Sequence, residues 1–191
     1  MVLLRKVLIE INEDFHVADK LNLALDSTEL VRRLVQSCKV KGEEIRELAS
    51  RAMLKVVNTE KGRTTIVSDK WWTQFYDLIF DSNATIRANG YGLYINLCEF
   101  TYGVESFYDC GILGDLVKQL AQEKDEHIMV LILTLLNILL DAEMVTRALL
   151  NSNVLELLNG HLTSRRWEIR QLAAENLGSI SFNEAGKEGA I

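Results

Sequence analysis

The sequence predicts an all-α fold, a right-handed α-solenoid in which one helical unit is copied along the chain. Three observations carry that expectation. An apolar anchor recurs at Leu4, Ile45, Ile86, Ile128 and Ile169, at intervals of 41, 41, 42 and 41 residues. The stretches that follow the anchors carry apolar residues at helical spacing. The chain also contains no proline to interrupt them. A period of about 40–47 residues built from helices is the mark of a stacked array, each unit covering the apolar face of its neighbour. The units fall at about 1–41, 42–82, 83–124 and 125–165, with part of a fifth at 166–191, in a single array.

The first unit opens on the helical stretch LLRKVLIEI and passes through Asp14-Phe15-His16-Val17. A second helical pattern follows at Leu30-Val31-Arg32-Arg33-Leu34-Val35, with Ser27 placed to cap it. In the second unit Ile45, Leu48, Ala49, Ala52, Met53 and Val56 share one face of a helix over 44–57. Gly62 is expected to supply a left-handed turn after it. Ser68-Asp69-Lys70 is expected to cap the segment carrying Trp71, Trp72, Phe75 and Ile79.

The third unit repeats this grammar. Ile86, Gly90, Leu93 and Leu97 give the helical face, and Gly90 and Gly92 allow a neighbouring helix to approach closely. Gly103 lies 41 residues after Gly62, and 111–117 makes the turn between two short helices. In the fourth unit, 128–140 is apolar on nearly every side, which predicts a helix sandwiched between neighbours. Its thirteen residues are too few to cross a bilayer. The second half of that unit is 154–158. The fifth begins at Trp167-Glu168-Ile169-Arg170 and continues through Leu172, Ala173, Asn176, Leu177 and Ile180. Beyond it, Glu184-Ala185-Gly186-Lys187 repeats Glu60-Lys61-Gly62-Arg63 at an offset of 124. Both ends read as uncapped, so isolated material is expected to associate.

The short helices align equally well. Leu30, Trp71, Ile112 and Val154 form one column; Leu34, Phe75, Leu116 and Leu158 a second; Cys38, Ile79, Leu120 and Leu162 a third. Apolar character is kept while size varies, as a stacked core requires. Short helices followed by a long one favour the armadillo arrangement over the two-helix HEAT arrangement.

Composition narrows the chemistry. The net charge of -6 lacks the basic footprint of a nucleic-acid binder and favours a basic or mixed-charge protein partner. Cys38, Cys98 and Cys110 form no CxxC pair and are odd in number, which points to a reducing compartment. The opening residues lack a signal-peptide pattern. His16, His127 and His161 have no zinc-site spacing, and no P-loop, GxSxG or GxGxxG is present. No catalysis, cofactor, metal or small-molecule substrate is therefore expected, nor a membrane or nucleic-acid partner; the expected partners are other proteins.

Six residues are candidates for protein binding. Arg87 and Arg170, with Arg5 and Arg46, each follow an anchor, and Met129 breaks the series. They could form a basic ladder or pair locally with carboxylates such as Glu43 or Glu47; local pairing is favoured. Asn96 and Asn137 lie 41 residues apart, and a side-chain amide can hold an extended peptide backbone. Trp167 stands where its counterparts are Glu43, Ala84 and Glu126, a setting for an interface aromatic. On the 85–98 helix, function is expected on the face carrying Arg87, Tyr94 and Asn96. Trp71 and Trp72 sit in apolar columns and are expected in the core.

These motifs resemble the armadillo superfamily over nearly the whole chain. The 111–118 stretch is similar to that family's short-helix junction, and Leu93-Tyr94-Ile95-Asn96-Leu97 to its long-helix motif bearing a groove asparagine. A narrower resemblance, over about the last 150 residues, is to the armadillo-type radial spoke proteins of cilia and flagella, the rhabdoid tumour deletion region family. It rests on an I-R-x-x-[AG] pattern at 45–49, 86–90 and 169–173, on Glu123-Lys124-Asp125-Glu126-His127-Ile128, and on the late Glu184-Ala185-Gly186-Lys187. That resemblance implies a non-catalytic scaffold in the cytoplasm, a radial spoke component of the axoneme, among subunits of a large assembly. The alternative is a soluble peptide-binding adaptor in nuclear transport or cell adhesion.

Overall fold

The computed structural model describes residues 2–13, 28–68, 71–99 and 102–182, and among these every regular element is a helix. The chain divides into two compact units, Met1–Leu97 and Cys98–Ile191. In the first lie α1 (Val2–Glu13), α2 (Thr28–Cys38), α3 (Glu43–Val57), α4 (Glu60–Ser68), a 3₁₀ helix (Trp71–Phe80) and α5 (Ala84–Cys98), whose last residue passes the boundary. In the second lie α6 (Gly103–Asp109), α7 (Leu113–Gln122), α8 (Glu126–Leu139), α9 (Glu143–Leu150), α10 (Val154–His161) and α11 (Trp167–Phe182).

Each of α1, α3, α5, α8 and α11 begins two residues before its anchor. At two of these starts a side chain sets the boundary. Asn83 Oδ1 accepts from the Thr85 and Ile86 amides at 2.8 and 3.2 Å, and Asp125 Oδ1 from those of His127 and Ile128 at 2.9 and 3.2 Å. Such bonds satisfy amides that a helix start leaves without a partner. Ile45, Ile86, Ile128 and Ile169 are all buried, as stacking anchors should be.

In the first unit α3 packs against α1, α2 and α4, and the 3₁₀ helix against α2 and α4. The long 3₁₀ stretch has a reason in its spacing. At three residues per turn, Trp72, Phe75 and Leu78 fall in one row, and all three are buried. The α5 helix lies close to this row: a Cβ at Gly90 would come within 2.9 Å of Leu78 Cβ, and one at Gly92 within 3.1 Å of Leu54 Cδ2. Both glycines thus permit close packing, as their helical positions imply. In the second unit α8 packs against α7 and α11, and α10 against α7, α9 and α11. The apolar α8 buries Ile128, Met129, Ile132, Leu133, Leu135, Leu136 and Leu139.

Two local expectations change, at Gly62 and at Leu162. Gly62 is not in a left-handed turn; it is buried inside α4, where a Cβ would meet the Val56 carbonyl oxygen at 2.0 Å. The bend is made by Thr59, whose hydroxyl donates to that carbonyl at 2.8 Å and accepts from the Gly62 amide at 3.0 Å. The left-handed glycine is Gly111 (φ 71°), between α6 and α7. Ser68 ends α4 and donates to the Thr65 carbonyl at 3.2 Å. Leu162, unlike the rest of its column, is exposed. Ser27, Asp14-Phe15-His16-Val17, Asp69-Lys70 and Glu184-Ala185-Gly186-Lys187 lie outside the described residues.

Candidate functional site

The arginines after the anchors share one geometry. Arg46 Nη1 donates to the carbonyls of Val40 and Lys41 at 3.2 and 2.9 Å. Arg87 Nη1 does the same to Asp81 and Ser82 at 2.9 and 3.1 Å, and Arg170 Nη1 to Ser164 and Arg165 at 2.8 and 2.9 Å. In each case the acceptors lie six and five residues upstream. The guanidinium therefore staples the loop ahead of the long helix to that helix. Local pairing is the observed outcome, but with backbone carbonyls in place of Glu43 or Glu47. Arg46 also grips Asp81 with Nε and Nη2 at 2.7 and 3.2 Å, and Arg5 reaches Glu44 at 2.7 Å.

Tyr94 is a correction. Its side chain is buried, its hydroxyl donates to the Trp72 carbonyl at 3.0 Å, and its ring stacks on Trp72 at 6.1 Å between centroids. It belongs to the core and presents no binding face. The signal was available, since Tyr94 follows Ile86 by eight residues, the column of Met53 and Leu136. Trp72 is in the core as expected, and Trp71 is half-buried.

The two asparagines differ. Asn96 is half-buried and donates to the Gly92 carbonyl of its own helix at 2.9 Å. Asn137 is nine residues after its anchor where Asn96 is ten, a rotation of about 100° around the helix. The pair therefore does not form a ladder on equivalent faces. Asn137 faces a cleft of about 550 Å³ between α8 and α11, lined also by Leu140, Asp141, Glu175, Gly178, Ser179 and Phe182.

That cleft is the arrangement best suited to hold a ligand. Among the described residues no hydrogen bond engages the Asn137 amide, which keeps both its donor and its acceptor available. A Cβ at Gly178 would touch nothing within 4 Å, so the floor is open where a side chain would otherwise stand. Phe182 is 84 % exposed at one end, and Asp141 and Glu175 place two carboxylates along the rim. Glu175 accepts from Gln171 at 2.8 Å. An apolar contact, an amide and two acids can together seat an extended, positively charged segment. Of the cleft residues only Asn137 stood out in the sequence; Phe182 and Glu175 belong to no repeated pattern.

Trp167 is 61 % exposed at the start of α11, outside the cleft lining, with Arg170 one turn on and also exposed. Arg166 and Glu168 flank Trp167 and pair with each other at 2.6 Å.

The other reactive groups are muted. Burial pushes the Cys38 thiol up to about 12 and raises that of Cys98 as well, leaving both protonated and poorly nucleophilic. Burial lowers the pKa of His161, against the pull of a hydrogen bond with the Leu120 backbone. Among the described residues no group of His, Cys, Asp or Glu side chains could hold a metal ion, and no helix is long and apolar enough to cross a membrane.

No family model matches the chain, and no curated protein matches it. Solved structures do. A computationally designed armadillo repeat protein for modular peptide recognition superposes with a TM-score of 0.81 at 17 % identity, over 98 % of this chain and 79 % of that one. A second designed armadillo repeat protein gives 0.78 at 17 % identity, over 97 % and 79 %. A third, in complex with the peptide (KR)4, gives 0.74 at 15 % identity, over 97 % and 85 %. With its all-helical elements, this establishes the fold class as an armadillo-type α-solenoid.

Proposed function

We propose that the chain is a non-catalytic scaffold for other proteins, holding an extended, basic segment of a partner in the α8–α11 cleft. The observation that carries this reading is the uncommitted Asn137 amide beside Asp141, Glu175 and the exposed Phe182. An amide can bond both the N–H and the C=O of an extended backbone, while the carboxylates favour Lys or Arg side chains. The net charge of -6 adds long-range attraction for such a segment. The structurally similar designed protein that holds (KR)4 supports the same ligand class.

The test is titration of a labelled (KR)4 peptide, with an acidic peptide of equal length as control. The parent chain should bind the basic peptide alone, and Asn137→Ala with Asp141→Ala should weaken it at least tenfold. Equal binding by parent and variant would remove the cleft from the reading.

Two settings are compatible with this scaffold. The radial spoke of the axoneme is supported only by sequence motifs, those at 45–49, 86–90 and 169–173 with the stretches 123–128 and 184–187. A soluble adaptor in transport or adhesion is supported by the chemistry of the cleft. Pull-downs from ciliated and non-ciliated cells separate them. Spoke subunits recovered only from ciliated cells favour the first setting; import or adhesion cargo favours the second.

A further inference from the structure

Asp141 and Ala142 are consecutive, yet they line different openings. Asp141 edges the α8–α11 cleft, with Leu140 before it. Ala142 edges a second groove, of about 720 Å³, walled by α9 and by Tyr108 of α6. Residues 140–142 are the whole connection between α8 and α9, and hydrogen bonds fix it. The Asp141 and Ala142 amides donate to the Ile138 and Leu139 carbonyls at 3.4 and 3.2 Å, and the Val145 and Thr146 amides to the Ala142 carbonyl at 3.0 and 3.2 Å. The buried Thr146 hydroxyl donates to the Leu140 carbonyl at 3.4 Å, tying α9 to the end of α8. A turn bonded from both sides holds the two openings in one relation.

The openings differ in chemistry. The cleft carries the carboxylates of Asp141 and Glu175, and among the described residues its lining holds no basic side chain. In the groove the charged residues of the lining, Glu143 and Arg147, pair with each other at 2.8 Å one turn apart, so that lining carries no net charge. Its apolar part is Ala142, Met144, Ala148 and the Tyr108 ring, with Met144 45 % exposed. The two alanines leave room between the longer side chains, and a thioether adapts to an apolar guest. The Tyr108 hydroxyl makes no hydrogen bond among the described residues and can bond one backbone group of a guest.

We infer that the partner segment is bipartite: its basic part lies in the α8–α11 cleft, and a flanking apolar part crosses the 140–142 turn into the groove, against Met144 and Tyr108. This rests on the reading of the cleft as a site for a basic segment. Successive Cα atoms lie about 3.8 Å apart, so an extended chain leaving the cleft at Asp141 reaches the groove within about two residues. A Lys or Arg finds no unpaired acid in the groove lining, whereas an apolar side chain gains by leaving water. Because both parts belong to one segment, the second contact forms at high effective concentration, and even a shallow groove adds affinity.

The test titrates labelled (KR)4 beside peptides that carry Leu-Leu-Phe at its amino or its carboxyl end, each with a Ser-Ser-Ser control. One of the apolar extensions should tighten binding about tenfold over its control, as burying one large apolar side chain does. Met144→Gln, whose helix propensity matches that of methionine, should remove the gain and leave both (KR)4 affinity and the Tm of the unliganded chain unchanged. Asn137→Ala with Asp141→Ala should weaken every peptide alike. Extensions that bind no better than their controls, while (KR)4 still binds, would overturn the inference and leave the cleft reading intact; absence of (KR)4 binding overturns both. A gain that survives Met144→Gln puts the apolar part elsewhere and also overturns it. So does a Tm lowered, or an oligomer dissociated, by Met144→Gln without peptide, since the groove would then be covered by the chain's own residues or by a second copy.

Discussion

Gly90 and Gly178 are both interior helical glycines, and nothing local distinguishes them. Their surroundings do. A Cβ at Gly90 would lie 2.9 Å from Leu78 Cβ and 3.2 Å from the Ile79 backbone nitrogen, neither of which can yield without moving the 3₁₀ helix. Gly90→Ala should therefore cost about 1–3 kcal/mol of stability by overpacking, read as a lower urea midpoint. Gly178→Ala meets nothing within 4 Å and should gain roughly 0.5–1 kcal/mol from helix propensity. Gly178→Leu should keep the fold but fill the cleft, abolishing capture of the basic peptide. If that variant still binds (KR)4 like the parent, the ligand does not lie over Gly178. The sequence shows that close packing is possible at such positions; only the neighbours decide where it occurs.

At the scale of elements, the recurring device is the arginine staple between a long helix and the loop before it. Its most complete form is Arg46 with Asp81, a pair whose side chains are only 18 % and 9 % exposed. Burial by itself would raise the Asp81 carboxyl, but hydrogen bonds from Arg46 and from the Asn83 amide outweigh it and hold the group below its ordinary value. A folded-state pKa that is depressed contributes stability above the unfolded value, about pH 4, and loses it as pH falls through the folded value. Asp81→Asn should thus be destabilised by about 2 kcal/mol at pH 7, the scale of hydrogen bonds to a charged group. The deficit should shrink steadily as pH drops below about 4. Urea midpoints of parent and variant across pH 7 to 2.5 check this, and a constant deficit would mean the charge of Asp81 is irrelevant. The 3₁₀ helix teaches a related point. The sequence set Trp71, Phe75 and Ile79 in columns at the α-helical spacing of four, whereas the segment winds more tightly and buries Trp72, Phe75 and Leu78 at a spacing of three, against α2 and α4.

For the molecule as a whole, the net charge of -6 makes a prediction that single contacts do not. Attraction for a basic peptide should weaken as salt rises, since the screening length falls from about 10 Å at 0.1 M to about 3 Å at 1 M. Asp141→Asn should flatten that salt dependence. Asn137→Ala should lower affinity by a similar factor at every salt concentration, because an amide carries no charge. Titrations of (KR)4 over a salt series measure both slopes, and a salt-independent affinity in the parent would argue that the carboxylates take no part. The array also explains why the chemistry is sparse. In a stacked repeat most side chains serve the stack, and only surfaces left uncovered, such as the α8–α11 cleft, are available to other molecules.

The sequence alone determined the repeat, the position of each long helix to within two residues, and the burial of Ile45, Ile86, Ile128 and Ile169. These follow from periodicity, because a helix turns by a constant angle and its buried stripe must recur at that angle. Tertiary structure decided what each polar group does. Tyr94 turned inward because its hydroxyl found the Trp72 carbonyl, and Asn96 was absorbed by Gly92 of its own helix. Asn137, one position round its helix, was left open to a cleft made with α11. A hydrogen-bond donor binds whichever acceptor lies within about 3 Å. In a solenoid that acceptor can belong to a neighbouring layer some forty residues away, a distance across which periodicity carries the stripe but not the partner.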